Sequence, residues 1–146
     1  MSRGCRPVRP AAHPHRVTMP PMKIQFNPRA LAAAVLLFIV LVVLATIGAR
    51  WGWVRSFLGD TLAVIWVYYV FKTVLRAPVL LLASLAFAVG ALVELGQYLV
   101  TLMGWRIPNP VLRVVFGSTA DWWDVAAYAL GWLAVLAIEL PLHRRT

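Results

Sequence analysis

The sequence predicts an all-α integral membrane protein with four transmembrane helices in an up-down-up-down bundle. A short interfacial helix is expected between spans three and four. Three observations carry this reading. The 146-residue chain is 62% hydrophobic and 13% charged, whereas a soluble domain is about half apolar and about a quarter charged. Its mean hydropathy is +0.79. Four long apolar runs follow one another, each near the length of about 20 residues that a bilayer core demands.

The first run, Ala30–Ile47, carries no charge and extends through Gly48. A short basic lead precedes it, Met22-Lys-Ile-Gln-Phe-Asn-Pro-Arg29. Its length, its poor cleavage context and the spans that follow favour a retained signal-anchor over a cleaved signal peptide. The second run lies near Val54–Leu75, bracketed by Arg55 and Lys72 and interrupted by Asp60. Lys72 and Arg76 are long enough to reach the headgroups while their stems stay in hydrocarbon. The third run begins at Pro78, where proline suits a first helical turn, and ends near Met103, before Gly104. The fourth covers Asp121–Leu140, with Ser118 or Thr119 as cap and Pro141 beyond its end.

Between spans three and four lies the longest loop, Gly104–Ala120. Pro108-Asn109-Pro110 breaks the chain, and Pro110–Phe116 reads as a short interfacial or re-entrant helix. Trp51, Trp53, Trp105, Trp122 and Trp123 all fall at span ends on this loop's side, as in an aromatic belt at one membrane surface.

Residues 1–28 read as a disordered basic tail, 29–141 as the four-span membrane domain, and 142–146 as a cytoplasmic basic end. Met1–Pro21 is rich in Arg, Pro, Ala and His and has no apolar periodicity to order it. Its readings are a basic arm, a metal-binding His13/His15 pair lacking further ligands, or a segment ahead of a true start at Met19 or Met22. The last is favoured. Without Arg3, Arg6, Arg9 and Arg16 the net charge falls from +9 to +5.

Basic residues in connecting segments favour the cytoplasm. With the N-terminus inside, Lys23, Arg29, Lys72, Arg76, Arg144 and Arg145 are inner, against outer Arg50, Arg55, Arg106 and Arg113. Both termini are therefore expected in the cytoplasm, with the protein in a bacterial inner membrane. The basic residues are scattered between apolar blocks, so no nucleic-acid face forms. Cys5 is the single cysteine. That excludes a disulfide framework and a Cys-rich metal site.

Polar groups inside spans are the informative ones. An Asp at a helix centre costs about 2.5–3.5 kcal/mol on the insertion scale. At about 1.5 Å per residue, Asp60 lies about 9 Å and Glu94 about 14 Å from the outer end of its span. Gln97 is shallower, and Asp121 and Asp124 open span four on the same side. Gly90, Glu94, Gln97 and Thr101 form one stripe on span three. Asp121, Asp124, Tyr128 and Gly131 form one on span four. Ala86-x-x-x-Gly90 and Ala127-x-x-x-Gly131 permit close helix approach. The two stripes are expected to face each other, with Arg55, Arg106 and Arg113 available to pair with the carboxylates. The candidate polar pocket is thus Asp60, Glu94, Gln97, Arg106, Asp121, Asp124 and Tyr128. The bland alternative makes Asp121 a helix-start residue, Asp60 and Asp124 headgroup-solvated, and Glu94–Gln97 a packing element. Glu139 is expected at the inner interface, tolerant of substitution.

Standard chemistries are missing from this pattern. There is no phosphate loop, no Cys-x-x-Cys and no His at ligand spacing, the spans hold no His, and Ser84 has no His partner. No metal and no cofactor is called for, and an enzyme is the less favoured reading. Any catalysis would rest on the carboxylates with Arg.

Several segments together resemble a known family: Phe57-Leu-Gly-Asp60, Glu94-Leu-Gly-Gln97, Arg106, Phe116-Gly117, and Asp121-Trp-Trp-Asp-Val-Ala-Ala-Tyr-Ala-Leu-Gly131. The pattern resembles the bacterial membrane domain-of-unknown-function family twenty-eight-oh-nine, and looks related to the VanZ-like proteins. The latter share a Glu-x-x-Gln element and a later Asp-rich, Gly-ended span, with Asn commonly at the place of Tyr128. The resemblance spans about Met22–Glu139. It implies a four-span inner-membrane protein of unassigned activity, connected with the cell envelope through glycopeptide resistance. The expected function is therefore a multi-pass membrane protein with an outer-facing pocket of Asp60, Glu94, Gln97 and Asp124. An envelope-lipid enzyme or small transporter, and a structural or assembly protein, stand as alternatives. Its expected partners are the lipid bilayer and an envelope lipid or another membrane component.

Overall fold

The computed structural model describes residues 22–47, 51–104, 108 and 121–143. Four helices make up nearly all of it: α1 Pro28–Ile47, α2 Trp53–Val74, α3 Val79–Met103 and α4 Trp122–His143. Each is long and apolar enough to cross a membrane. The tail 1–21, the Pro110–Phe116 helix, the Ser118/Thr119 cap, Trp105, Arg106 and Arg113 lie outside the described residues.

The helix boundaries have local causes. The α1 helix begins ahead of the apolar run because Asn27 caps it: its Oδ1 accepts the backbone N–H groups of Arg29 (3.1 Å) and Ala30 (3.2 Å). Pro28 fills the first helical position, where its missing N–H is not needed. The α3 helix stops at Gly104, whose φ of 63° lets its N–H turn back to Val100 and Thr101 carbonyls. The α4 helix does not stop at Leu140. It runs through Pro141, which stands in its last turn, to His143.

One element was not expected. Lys23–Ile24 (β1) pairs antiparallel with Leu75–Arg76 (β2), with Lys23 opposite Arg76 and Ile24 opposite Leu75. Backbone bonds Gln25 N–H to Val74 O (3.0 Å) and Asn27 N–H to Thr73 O (2.8 Å) continue the tie. Residues 22–28, grouped with the tail by composition, are thus fastened to the end of α2.

In packing, α2 is central and contacts α1, α3 and α4, while α4 also packs on α3. The core comprises Val64, Tyr68, Val79, Leu82, Ala83, Ala86, Tyr128 and Val135. These residues come from α2, α3 and α4. The α1 helix buries only Ala30 and Ala34 and exposes Leu31, Val35, Leu36, Phe38, Ile39, Val42 and Val43. A helix apolar all round and turned outward belongs in lipid. The bundle is therefore a three-helix core with α1 laid along α2.

The small residues act at different contacts. Gly90 of α3 meets Tyr128 of α4: a Cβ there would stand 2.9 Å from the ring. Gly131 faces α2, not α3, and a Cβ on it would lie 2.6 Å from the Thr61 carbonyl oxygen. Thr61 in turn donates its hydroxyl to the Ala127 carbonyl at 3.2 Å. The α4 stripe is therefore divided between two neighbours, because α4 packs into the angle between α2 and α3.

Candidate functional site

The side-chain contacts sort the bundle into two chemically opposite ends. At one end α2 brings Asp60, α3 brings Glu94 and Gln97, and α4 brings Asp124 and Tyr128, with Asp121 just before its first residue. At the other end lie Lys72, Glu139 and the β1–β2 pair.

At the acidic end, Glu94 is buried at 6% exposure and Gln97 at 7%. Glu94 Oε1 accepts the Tyr128 hydroxyl at 3.2 Å, and Oε2 accepts the Asp121 backbone N–H at 3.3 Å. Tyr128 is buried too. The carboxylate therefore joins α3 to the first turn of α4, where an anion is favoured by the exposed N–H groups and the helix dipole. Asp121 itself is exposed and caps α4, its Oδ1 accepting the Trp123 N–H at 3.1 Å. It bounds the pocket as a helix-start residue.

Asp60 and Asp124 are arranged differently. Their carboxyl groups lie within hydrogen-bonding reach of each other, across α2 and α4. Glu94 adds its field to Asp60, and Asp121 and Asp124 add theirs to Glu94. Both aspartates are only half-buried. Ionised carboxylates only accept hydrogen bonds, so a bond between the two requires a shared proton, or a donor or cation placed between them.

The structure brings the carboxyl groups of Asp60, Glu94 and Asp124 near one another, with Tyr128 and the Asp121 backbone on Glu94, and buries Gln97 on the same helix as Glu94. The cations are placed otherwise than the sequence suggests. Arg55 does not turn to the carboxylates; it donates Nη1 to the Ala45 carbonyl near the end of α1, at 3.1 Å. The loss of partners in the last turn of α1 explains this choice, since cations suit helix C-termini. Arg106 and Arg113 fall outside the described residues. Among the described residues no group of three His, Cys, Asp or Glu side chains is placed to hold a metal ion. The aromatic rim is present: Trp51, Trp53, Trp122 and Trp123 are exposed, and the Trp53 and Trp123 rings meet edge to face at 6.1 Å.

Two features escaped the sequence reading. Glu139 is not an interfacial residue. It is 5% exposed and forms an ion pair with Lys72 at 2.6 Å. Lys72 Nζ also stands 5.6 Å from the Tyr68 and Tyr69 ring centroids. Its ammonium therefore stays within the bundle instead of reaching for headgroups. No one-dimensional signal marks a pairing between residues this far apart. The second omission, the Asn27-Pro28 helix start, was legible as a cap followed by a first-turn proline.

Four apolar helices and an outward apolar surface define a polytopic helical membrane protein. The chain belongs to the family described as "Protein of unknown function (DUF2809)", whose model matches residues 49–132. That stretch holds α2, α3 and the first half of α4, with every described residue of the acidic end. No curated protein and no solved structure matches the chain.

Proposed function

We propose that this chain is a multi-pass bacterial inner-membrane protein whose acidic end faces outward and binds a proton or a cationic, hydrogen-bond-donating group of the cell envelope. Both termini then lie in the cytoplasm, the arrangement favoured by the basic residues around β1, β2 and the end of α2. The observation that carries the reading is the Asp60–Asp124 pair. Bringing like charges together across two helices inside a membrane domain is unfavourable, and packing alone gives no reason for it. A proton or a cation between the two carboxyls relieves that repulsion. The reading is of a binding pocket without catalysis.

Glu94 serves a second role. Its two acceptor contacts, to Tyr128 and to the start of α4, support a structural function for this residue. Asp60 and Asp124 are the binding groups, and Glu94 positions the helix that carries Asp124.

The test is complementation of a deletion strain under glycopeptide or other envelope stress. Asp60→Asn and Asp124→Asn should accumulate as folded protein yet fail to restore resistance. Full restoration by both variants would overturn the proposal.

A further inference from the structure

The opposite end of the bundle holds a cavity of about 900 Å³. Its walls carry Lys23, Arg29, Lys72 and Arg76, with no Asp or Glu among the lining residues. Glu139 neutralises Lys72 from behind, which leaves an excess of positive charge around the space. Like charges gathered around one space repel, and an anion placed among them relieves that repulsion.

The strand pair makes the point locally. Lys23 and Arg76 are direct partners across β1–β2, and like charges placed opposite each other destabilise an antiparallel pair. Arg76 is also held in place, its Nη1 donating to Gln25 Oε1 at 3.1 Å. The α3 helix starts at this cavity: Pro78 and Val79 line it, and no side chain caps the helix. Uncapped first-turn N–H groups form an anion-favouring site. Tyr68 packs behind the cavity wall and is fully buried. Ammonium, guanidinium and helix-start N–H donors therefore gather around one space between the end of α2 and the start of α3.

We infer that this cavity binds a phosphate group, presented by an anionic phospholipid headgroup or as free phosphate, between Lys23, Arg29, Arg76 and the start of α3. Lys and Arg forks are the donors that suit phosphate, and basic pockets between spans are where such headgroups bind. The site lies at the other end of the bundle from the Asp60–Asp124 pair and does not depend on the reading of that pair.

The experiment uses the full chain purified in neutral detergent. Thermal unfolding and ligand titration are followed with phosphatidylglycerol in mixed micelles, with phosphatidylcholine, and separately with inorganic phosphate. Phosphatidylglycerol should raise the Tm saturably, and phosphatidylcholine should not. Saturation by inorganic phosphate as well assigns the site to the free anion; a response to phosphatidylglycerol alone assigns it to the lipid. A response to neither overturns the inference. Lys23→Gln keeps the strand backbone intact and should weaken the anion response by roughly fivefold. The same variant should match or exceed the native chain's Tm when no anion is present, because it removes the repulsion with Arg76. A Lys23→Gln chain that is less stable without anion, or that binds phosphatidylglycerol like the native chain, would also overturn it. Arg55→Gln, at the far end, is the charge-matched control, and an equal loss of response there would show mere surface attraction.

Discussion

The Tyr128 hydroxyl donates to Glu94 Oε1 across 3.2 Å, and both residues are buried between α3 and α4. The other oxygen of Glu94 receives the Asp121 N–H. Each oxygen of a deep carboxylate thereby has a donor within the bundle. Removing one partner of such a contact leaves the other buried without a mate, which costs more than the bond itself contributes.

Glu94→Gln should therefore destabilise the fold. An amide keeps one acceptor but points two donors at a site that already supplies donors. The expected loss is about 1–3 kcal/mol, and Tyr128→Phe, which leaves a buried carboxylate oxygen without its donor, should lose a similar amount. Thermal or denaturant unfolding in detergent measures both. A Glu94→Gln chain as stable as the native one would show that the contact contributes nothing.

The Asp60–Asp124 pair should behave in the opposite sense. Asp60→Asn replaces one of two repelling groups with a donor to the other, so stability should hold or rise. Asp124→Asn should do the same. A marked drop in unfolding midpoint for either would mean that the pair supports the fold, leaving no reason to reserve it for a ligand. A gain in stability joined to a loss of phenotype is the signature of a binding site.

The two small-residue contacts should rank in a definite order. In Gly131→Ala the new methyl would collide with the backbone oxygen of Thr61, which cannot swing away without moving α2. In Gly90→Ala the obstacle is the edge of the Tyr128 ring, a side chain able to give slightly. Overpacking typically costs about 1–3 kcal/mol. Gly131→Ala should lie at or beyond the upper end and Gly90→Ala below it, read as unfolding midpoints. The reverse order would contradict the packing described.

Breaking the Lys72–Glu139 pair should also be costly. Glu139→Gln leaves a largely covered ammonium with a weaker acceptor, at a cost of about 1.5–3 kcal/mol for a charge-assisted bond. The composition-based expectation is the contrary one, that Glu139 tolerates change. An unaltered unfolding midpoint would restore it.

The proposed orientation is open to labelling. In a Cys5→Ser background, an impermeant maleimide applied to intact spheroplasts should modify Trp51→Cys and spare Ile24→Cys. Both native side chains are exposed, at 60% and 90%. The reverse pattern would invert the molecule and turn the acidic end to the cytoplasm.

The sequence by itself determined the class of the protein and the four spans, because hydrocarbon thickness and backbone hydrogen bonding impose a minimum apolar length that is read along one dimension. Helical spacing also placed Glu94, Gln97, Asp124 and Tyr128 on coherent stripes, since a period of 3.6 residues is a local property. Only the tertiary structure decided which stripe meets which neighbour. It turned Gly131 to α2, sent Arg55 to the end of α1, set Asp60 against Asp124, and paired Lys72 with Glu139. It also set Lys23 opposite Arg76, and so gathered the basic residues around one cavity. Each of these contacts depends on helix rotation and on residues far apart in the chain, and apolar packing among the helices fixes that rotation without leaving a local trace.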